Sequence, residues 1–133
     1  MYTPQRKTVR FFSVMITALT AGLLLVSEAF ALTPQEETRV DNLLIAVGKQ
    51  EQLLFIRNGS EHNAAEAESH LRLKLGKTKK RLKTAEQFVD NVASKSSITG
   101  TPYQVKLPGQ PPVDAQIYLS QLLSDTDNAV KAQ

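Results

Sequence analysis

The chain has 133 residues, 16 Lys+Arg against 13 Asp+Glu, and a formal charge of +3. It contains no Cys and no Trp. That composition excludes a disulfide framework, a thiolate zinc or iron–sulfur site and a cysteine nucleophile, while 41% hydrophobic content suffices for one core.

The N-terminal stretch reads as an export signal. Arg6, Lys7 and Arg10 make a positive start, an apolar run extends from Val14 to Val26, and Ala29-Phe30-Ala31 supplies the small-x-small pattern of a cleavage site. The run covers 13 residues, whereas a spanning helix takes about 20. The leading expectation is cleavage after Ala31 and a periplasmic protein with no permanent transmembrane segment. The alternative is an uncleaved anchor, since Phe11 and Phe12 lengthen the stretch to 16 residues. Residues 32–133 then form a single domain with 13 basic and 12 acidic residues, a net charge of +1. Much of the basicity belongs to the signal, so nucleic acid is not expected as a partner.

Four helices are predicted, near 34–50, 62–82, 84–94 and 114–125. Thr33, Pro34 and Glu36 make a capping box with proline at the first helical position. Val40, Leu43, Leu44 and Val47 follow as an apolar stripe, and Gly48 falls near the end. Leu53 to Arg57 is a short extended run closed by the Asn58-Gly59 turn signal. In the second helix Ala64, Ala67, Leu71, Leu75, Thr78 and Leu82 share a face, with Gly76 opposite. Thr84 and Gln87 box the start of the third, whose face is Ala85, Phe88, Val89 and Val92. Ser94 to Pro102 is a polar loop, and Tyr103 to Leu107 alternates with the two-residue period of a strand. Asp114 is placed to cap the last helix, with Ala115, Tyr118, Leu119, Leu122 and Leu123 inward. The tail after Asp125 is expected to fray. The fold class is α+β, predominantly helical, with one short two-stranded pair formed by 53–57 and 103–107.

Three stretches together carry a resemblance: Phe55-Ile56-Arg57-Asn58-Gly59; Glu66-Ala67 with Ser69-His70-Leu71 and Lys74; and Thr84-Ala85-Glu86-Gln87-Phe88 leading to Ser96-Ser97-Ile98-Thr99-Gly100-Thr101-Pro102-Tyr103. The chain resembles the YfeK-like family of small exported proteins of Gram-negative bacteria, a domain family of unknown function. The resemblance covers most of residues 34–123. It implies an envelope location and supplies no activity, cofactor or catalytic residue. It also implies a pair of Cys in many relatives, at the positions held here by Leu53 and Leu107. If relatives bridge those positions, the two residues lie within about 7 Å. Both leucines are therefore expected to be buried and in contact, tying the two extended segments together.

Several constellations invite a chemical reading. His62, Glu66 and His70 recur at steps of four, and imidazole with carboxylate suits zinc. No fourth ligand is identifiable, and the plainer reading has His70 packed at the apolar edge, bonded to a neighbour, with His62 solvated. Seven basic residues lie between Arg72 and Lys83 with no acid among them. On a helix, His70, Lys74, Lys77 and Arg81 make one stripe and Arg72, Lys79 and Lys83 another. Such stripes serve either as an anion-binding surface or as a solvated face neutralised by nearby acids. The hydroxyl loop lacks a Ser-His-Asp arrangement and a Gly-x-Ser-x-Gly elbow. Turn chemistry or a protein contact ending in Tyr103 suits it better. Arg57 and Asn58 read either as a fixed turn or as ligand-facing groups in a cleft beside His70.

The expected function is a non-enzymatic binding or interaction module for an envelope protein or an anionic envelope component. Its candidate residues are Arg57, Asn58, His70, Lys74, Lys77, Arg81 and Tyr103, with no cofactor and no metal assigned. The alternative is a small hydrolase or metal-dependent enzyme built on His70, Glu66 and Arg57. A third reading is a structural accessory with no ligand of its own. A cleft gathering Arg57, His70 and Tyr103 would distinguish a site from scattered residues.

Overall fold

The computed structural model describes residues 31–133. The export-signal expectation, apart from Ala31 itself, lies outside the described residues.

Thr33 caps helix α1 (Pro34–Gly48), its side chain accepting from the Glu36 backbone N–H at 3.2 Å. The reciprocal half of the expected box is not made, because the Glu36 carboxylate turns to Arg39 and to the Ala85 N–H. Val40, Leu43, Leu44 and Val47 form its buried face. The chain then enters strand β1 (Leu54–Arg57). Asn58 and Gly59 both take positive φ, 50° and 79°, the backbone of a two-residue hairpin turn. Strand β2 (Ser60–His62) returns antiparallel to β1, with Phe55 opposite His62.

Helix α2 (Ala64–Thr78) starts at a complete capping box. The Asn63 side chain accepts from Glu66 N–H, and the Glu66 carboxylate accepts from Asn63 N–H. A 3₁₀ turn over Lys79–Arg81 ends it, short of the expected residue 82. Helix α3 (Ala85–Phe88) continues directly into a π-helical turn over Val89–Ala93. After the hydroxyl loop come β3 (Gln104–Lys106), β4 (Val113–Asp114) and helix α4 (Ala115–Lys131).

The strands form one antiparallel sheet in the order β2-β1-β3-β4. The predicted pair of extended segments is its centre, with Leu54 opposite Lys106 and Phe55 opposite Val105. Two short strands flank it that the sequence reading did not separate out. Leu53 and Phe55 enter the same core as Val105, Phe88 and Leu119. Leu53 is almost fully buried, but Leu107 is only partly so and packs against the edge of this core. Its position next to the Pro108-Gly109 turn leaves one side open.

Two further expectations are corrected. Asp114 occupies the N-cap position of α4 without any side-chain capping bond. The C-terminal tail does not fray at Asp125: α4 runs on to Lys131. The reason is long-range, because Asp127 holds Arg39 of α1 through a 2.7 Å ion pair. Among the described residues no helix is long and apolar enough to cross a membrane.

Candidate functional site

The basic stretch of α2 divides into two faces with different fates. Arg72 bonds Asp41 of α1 at 2.7 Å and Glu68 at 2.8 Å, and Lys79 lies 3.6 Å from Glu37. This stripe docks α2 against acids on α1 and within α2, and is largely neutralised. The other stripe opens onto a cleft of about 330 Å³ between α2, the β1–β2 turn and the hydroxyl loop. Arg57, Asn58, His70, Lys74, Lys77 and Tyr103 all line it.

Six of the seven candidate residues therefore meet in one place. Arg81 does not: it stands in the 3₁₀ turn and lines a separate hollow with Asn91, Lys95 and Gly100. The change from α-helix to 3₁₀ turn at Lys79 breaks the i, i+4 register that would have aligned it with Lys77. The enzyme constellation also separates. Glu66 is spent on the α2 cap and on His62, whose Nδ1 lies 3.5 Å away, and it does not line the cleft. Among the described residues no group of three or more His, Asp or Glu is placed to hold a metal ion.

Lys74, on the stripe read either as an anion-binding surface or as a solvated face, is only 7% exposed. Its Nζ donates to the Lys95 carbonyl at 2.6 Å and sits 4.8 Å above the centre of the Tyr103 ring. The carbonyl and the negative ring face together hold a cation there. The arrangement is incomplete as compensation, because burial, followed by the Arg57 charge, pushes the Lys74 ammonium down to about 8. Tyr103 is itself buried and tilts against His70, with ring centres 6.4 Å apart.

Two polar atoms on the cleft wall are shielded from solvent without a hydrogen-bond partner: Arg57 Nε and His70 Nε2. The expected bond from His70 to a neighbour is thus not made at Nε2. Arg57 reaches His62 instead, Nη2 standing 3.4 Å from His62 Nε2. The guanidinium only donates, so His62 Nε2 accepts and its Nδ1 carries the proton toward Glu66. Burial holds His70 down to about 4, with Arg57, Lys74, His62 and Lys77 adding repulsion from β1, α2 and β2. At neutral pH the cleft therefore carries three cations, one neutral imidazole and no carboxylate.

His70 also makes a stability prediction. Its folded value of about 4 lies below the ordinary 6.5, so the unfolded chain binds the extra proton more readily. Stability is complete above about 6.5 and is lost as the pH falls toward 4. Water reaches part of the ring, so the loss is about 1–2 kcal/mol, less than the shift alone implies. Urea denaturation at pH 7 and pH 4.5 should show this loss in the wild type and a smaller one in His70→Gln. Equal losses in both would remove His70 from the account.

The hydroxyl loop is held by its own bonds. Ser96 N–H donates to the Thr101 carbonyl, Gly100 N–H donates to the Ser96 carbonyl, and Ser96 Oγ accepts from the N–H groups of Ile98 and Thr99. Gly100 takes φ 72°, which turns the loop back toward Pro102. These are structural duties for the hydroxyls, and they present the loop as a fixed wall of the cleft. Sequence reasoning missed Leu73 and Ile98 on that wall. Leu73 could have been found three residues beyond His70 and four before Lys77, the spacing of one helix face.

A model of a family of unknown function (DUF5329) matches residues 34–127. The chain is 52% identical over 89 residues to the uncharacterized protein YfeK of Salmonella typhimurium, covering 66% of this chain and 74% of that one. No solved structure matches. The family match spans the helices, the sheet and the cleft, and the chain belongs to this YfeK-like family of unknown function.

Proposed function

We propose that the chain is a non-enzymatic binding module, exported to the periplasm, whose cleft takes an oxyanion carried by a component of the cell envelope. The observation that carries the reading is the gathering of Arg57, Lys74 and Lys77 around one cleft whose lining holds no carboxylate. Burying the Lys74 ammonium beside the Arg57 charge costs free energy, and a bound anion would offset that cost. It would also give Arg57 the acceptor its Nε lacks. The apolar run, the positive start and the small-x-small site before Leu32 support export.

One preparation tests both halves. The protein is expressed from its full-length gene, recovered from a periplasmic extract, weighed intact and titrated with sulfate at low ionic strength. The expected mass corresponds to a chain beginning at Leu32. Sulfate is expected to saturate a single site, to weaken about tenfold in Lys74→Gln and to weaken in added salt. Sulfate does not titrate near neutrality, so the pH profile reads the protein. Affinity should fall as the pH rises past about 8, where Lys74 loses its proton. An intact N-terminus in the membrane fraction would sink the cleavage after Ala31, recovery of the chain only from the cytoplasm would sink the export reading, and absence of saturable binding would sink the anion reading.

A further inference from the structure

The cationic floor of the cleft is bordered by two apolar side chains that have no place in the core. Ile98 is 95% exposed and Leu73 is 58% exposed, and both line the cleft. Ile98 is not out in solvent because its loop is loose. The hydrogen bonds from its own N–H and that of Thr99 to Ser96 Oγ fix the loop that carries it. Leu73 stands on the same helical face as His70 and Lys77. Cations below and hydrocarbon at the rim make a site with two chemistries in sequence.

Resting on the anion reading above, the geometry points to an amphiphile as the ligand: a single oxyanion head joined to an apolar chain a few carbons long. The head lies among Arg57, Lys74 and Lys77, and the chain leaves the cleft between Leu73 and Ile98. A volume of about 330 Å³ fits a small molecule or the end of a larger one. A plain inorganic anion would use the floor and leave the rim in water. A purely apolar ligand would cover the rim and leave the cations uncompensated.

The test titrates the intact protein with three probes: sulfate, hexyl sulfate and hexanol. Each methylene removed from water contributes about fourfold in affinity. Contact of two or more with Leu73 and Ile98 therefore makes hexyl sulfate bind at least about tenfold tighter than sulfate. Hexanol is expected to bind far more weakly than hexyl sulfate. Leu73→Gln and Ile98→Ser, both at exposed positions, should each weaken hexyl sulfate several-fold and leave sulfate unchanged. Equal affinity for sulfate and hexyl sulfate would overturn the inference while the anion site stands. Hexanol binding as tightly as hexyl sulfate would also overturn it, since the head would then contribute nothing. If neither sulfate nor hexyl sulfate binds, the anion reading itself fails.

Discussion

Replacing Leu53 and Leu107 together by Cys is expected to give a disulfide that forms under oxidising conditions and stabilises the oxidised protein by about 3–4 kcal/mol over its reduced form. The geometry comes from the ladder between β1 and β3. Leu54 lies opposite Lys106, so the next pair outward is Leu53 and Leu107. Leu53 N–H donates to the Gln50 carbonyl, and the Leu107 carbonyl accepts from Gln110 N–H. These groups are committed elsewhere, so continuing the ladder by one step makes this a non-hydrogen-bonded pair, for which the expected spacing is about 4.5 Å between Cα atoms. That spacing lies within the range a disulfide spans. The cross-link closes a long loop, which in the chain-entropy account gives a large effect. Single Ala substitutions should differ: about 2–4 kcal/mol at buried Leu53 and less at half-open Leu107. Denaturation of the double-Cys protein with and without reductant measures the difference. A pair that stays reduced in oxidant would show that the ladder does not extend past Leu54.

The second large effect belongs to Arg39. Arg39→Ala is expected to lose about 2–3 kcal/mol, near the lower end of the cost of breaking a buried pair because the site is only partly shielded. From α1, its guanidinium bonds Glu36 at 2.9 Å, Glu86 beside it in α3, and Asp127 of α4 at 2.7 Å. Glu36 in turn accepts from the Ala85 N–H at 2.7 Å, which pins the start of α3. The side chain of Arg39 is 22% exposed, so water screens these contacts only in part. Its three acids hold the guanidinium even further above its usual range, the Asp127 bond most of all and the Glu86 bond next. Without it, three carboxylates face each other at the meeting of three helices. Arg39→Lys should recover only a fraction, since an ammonium cannot reproduce the planar fork. Urea unfolding of both variants, with Asp127→Asn to complete a double-mutant cycle, gives the coupling. A loss under about 0.5 kcal/mol would place the cluster among ordinary surface ion pairs.

The helices were legible because their ends are marked and their stripes are regular. Thr33, Thr84 and the Val40–Val47 spacing each identify a boundary or a face from neighbours within one or two turns. The two inner strands were legible for the same reason, through alternation and the Asn58-Gly59 turn. What escaped depends on partners far along the chain. Nothing within reach of Asp127 in sequence shows that it meets Arg39, so α4 looked shorter than it is. Strands β2 and β4 have three and two residues, too few to show a period. Lys74 falls at the step of three after Leu71 and of seven after Ala67, which is a core position. Its charge outweighed its spacing in the reading, although the Lys95 carbonyl and the Tyr103 ring accommodate it inside. A cleft gathering Arg57, His70 and Tyr103 was one of two arrangements the sequence left open. Only the pairing of β1 with β3 puts them together.

That pairing also orders the way the molecule assembles. Strand β1 has one neighbour a two-residue turn away and another about fifty residues along the chain. The near clasp closes on the microsecond scale typical of hairpins. The far one must first bring in a segment separated by α2 and α3, and loop closure over that distance carries its entropic cost before any contact repays it. Arg57 thus acquires its turn early, in a hairpin that needs nothing else, while Tyr103 arrives with the late strand. The cleft is therefore completed later than the hairpin that carries Arg57, and its two walls are joined only when β1 and β3 pair.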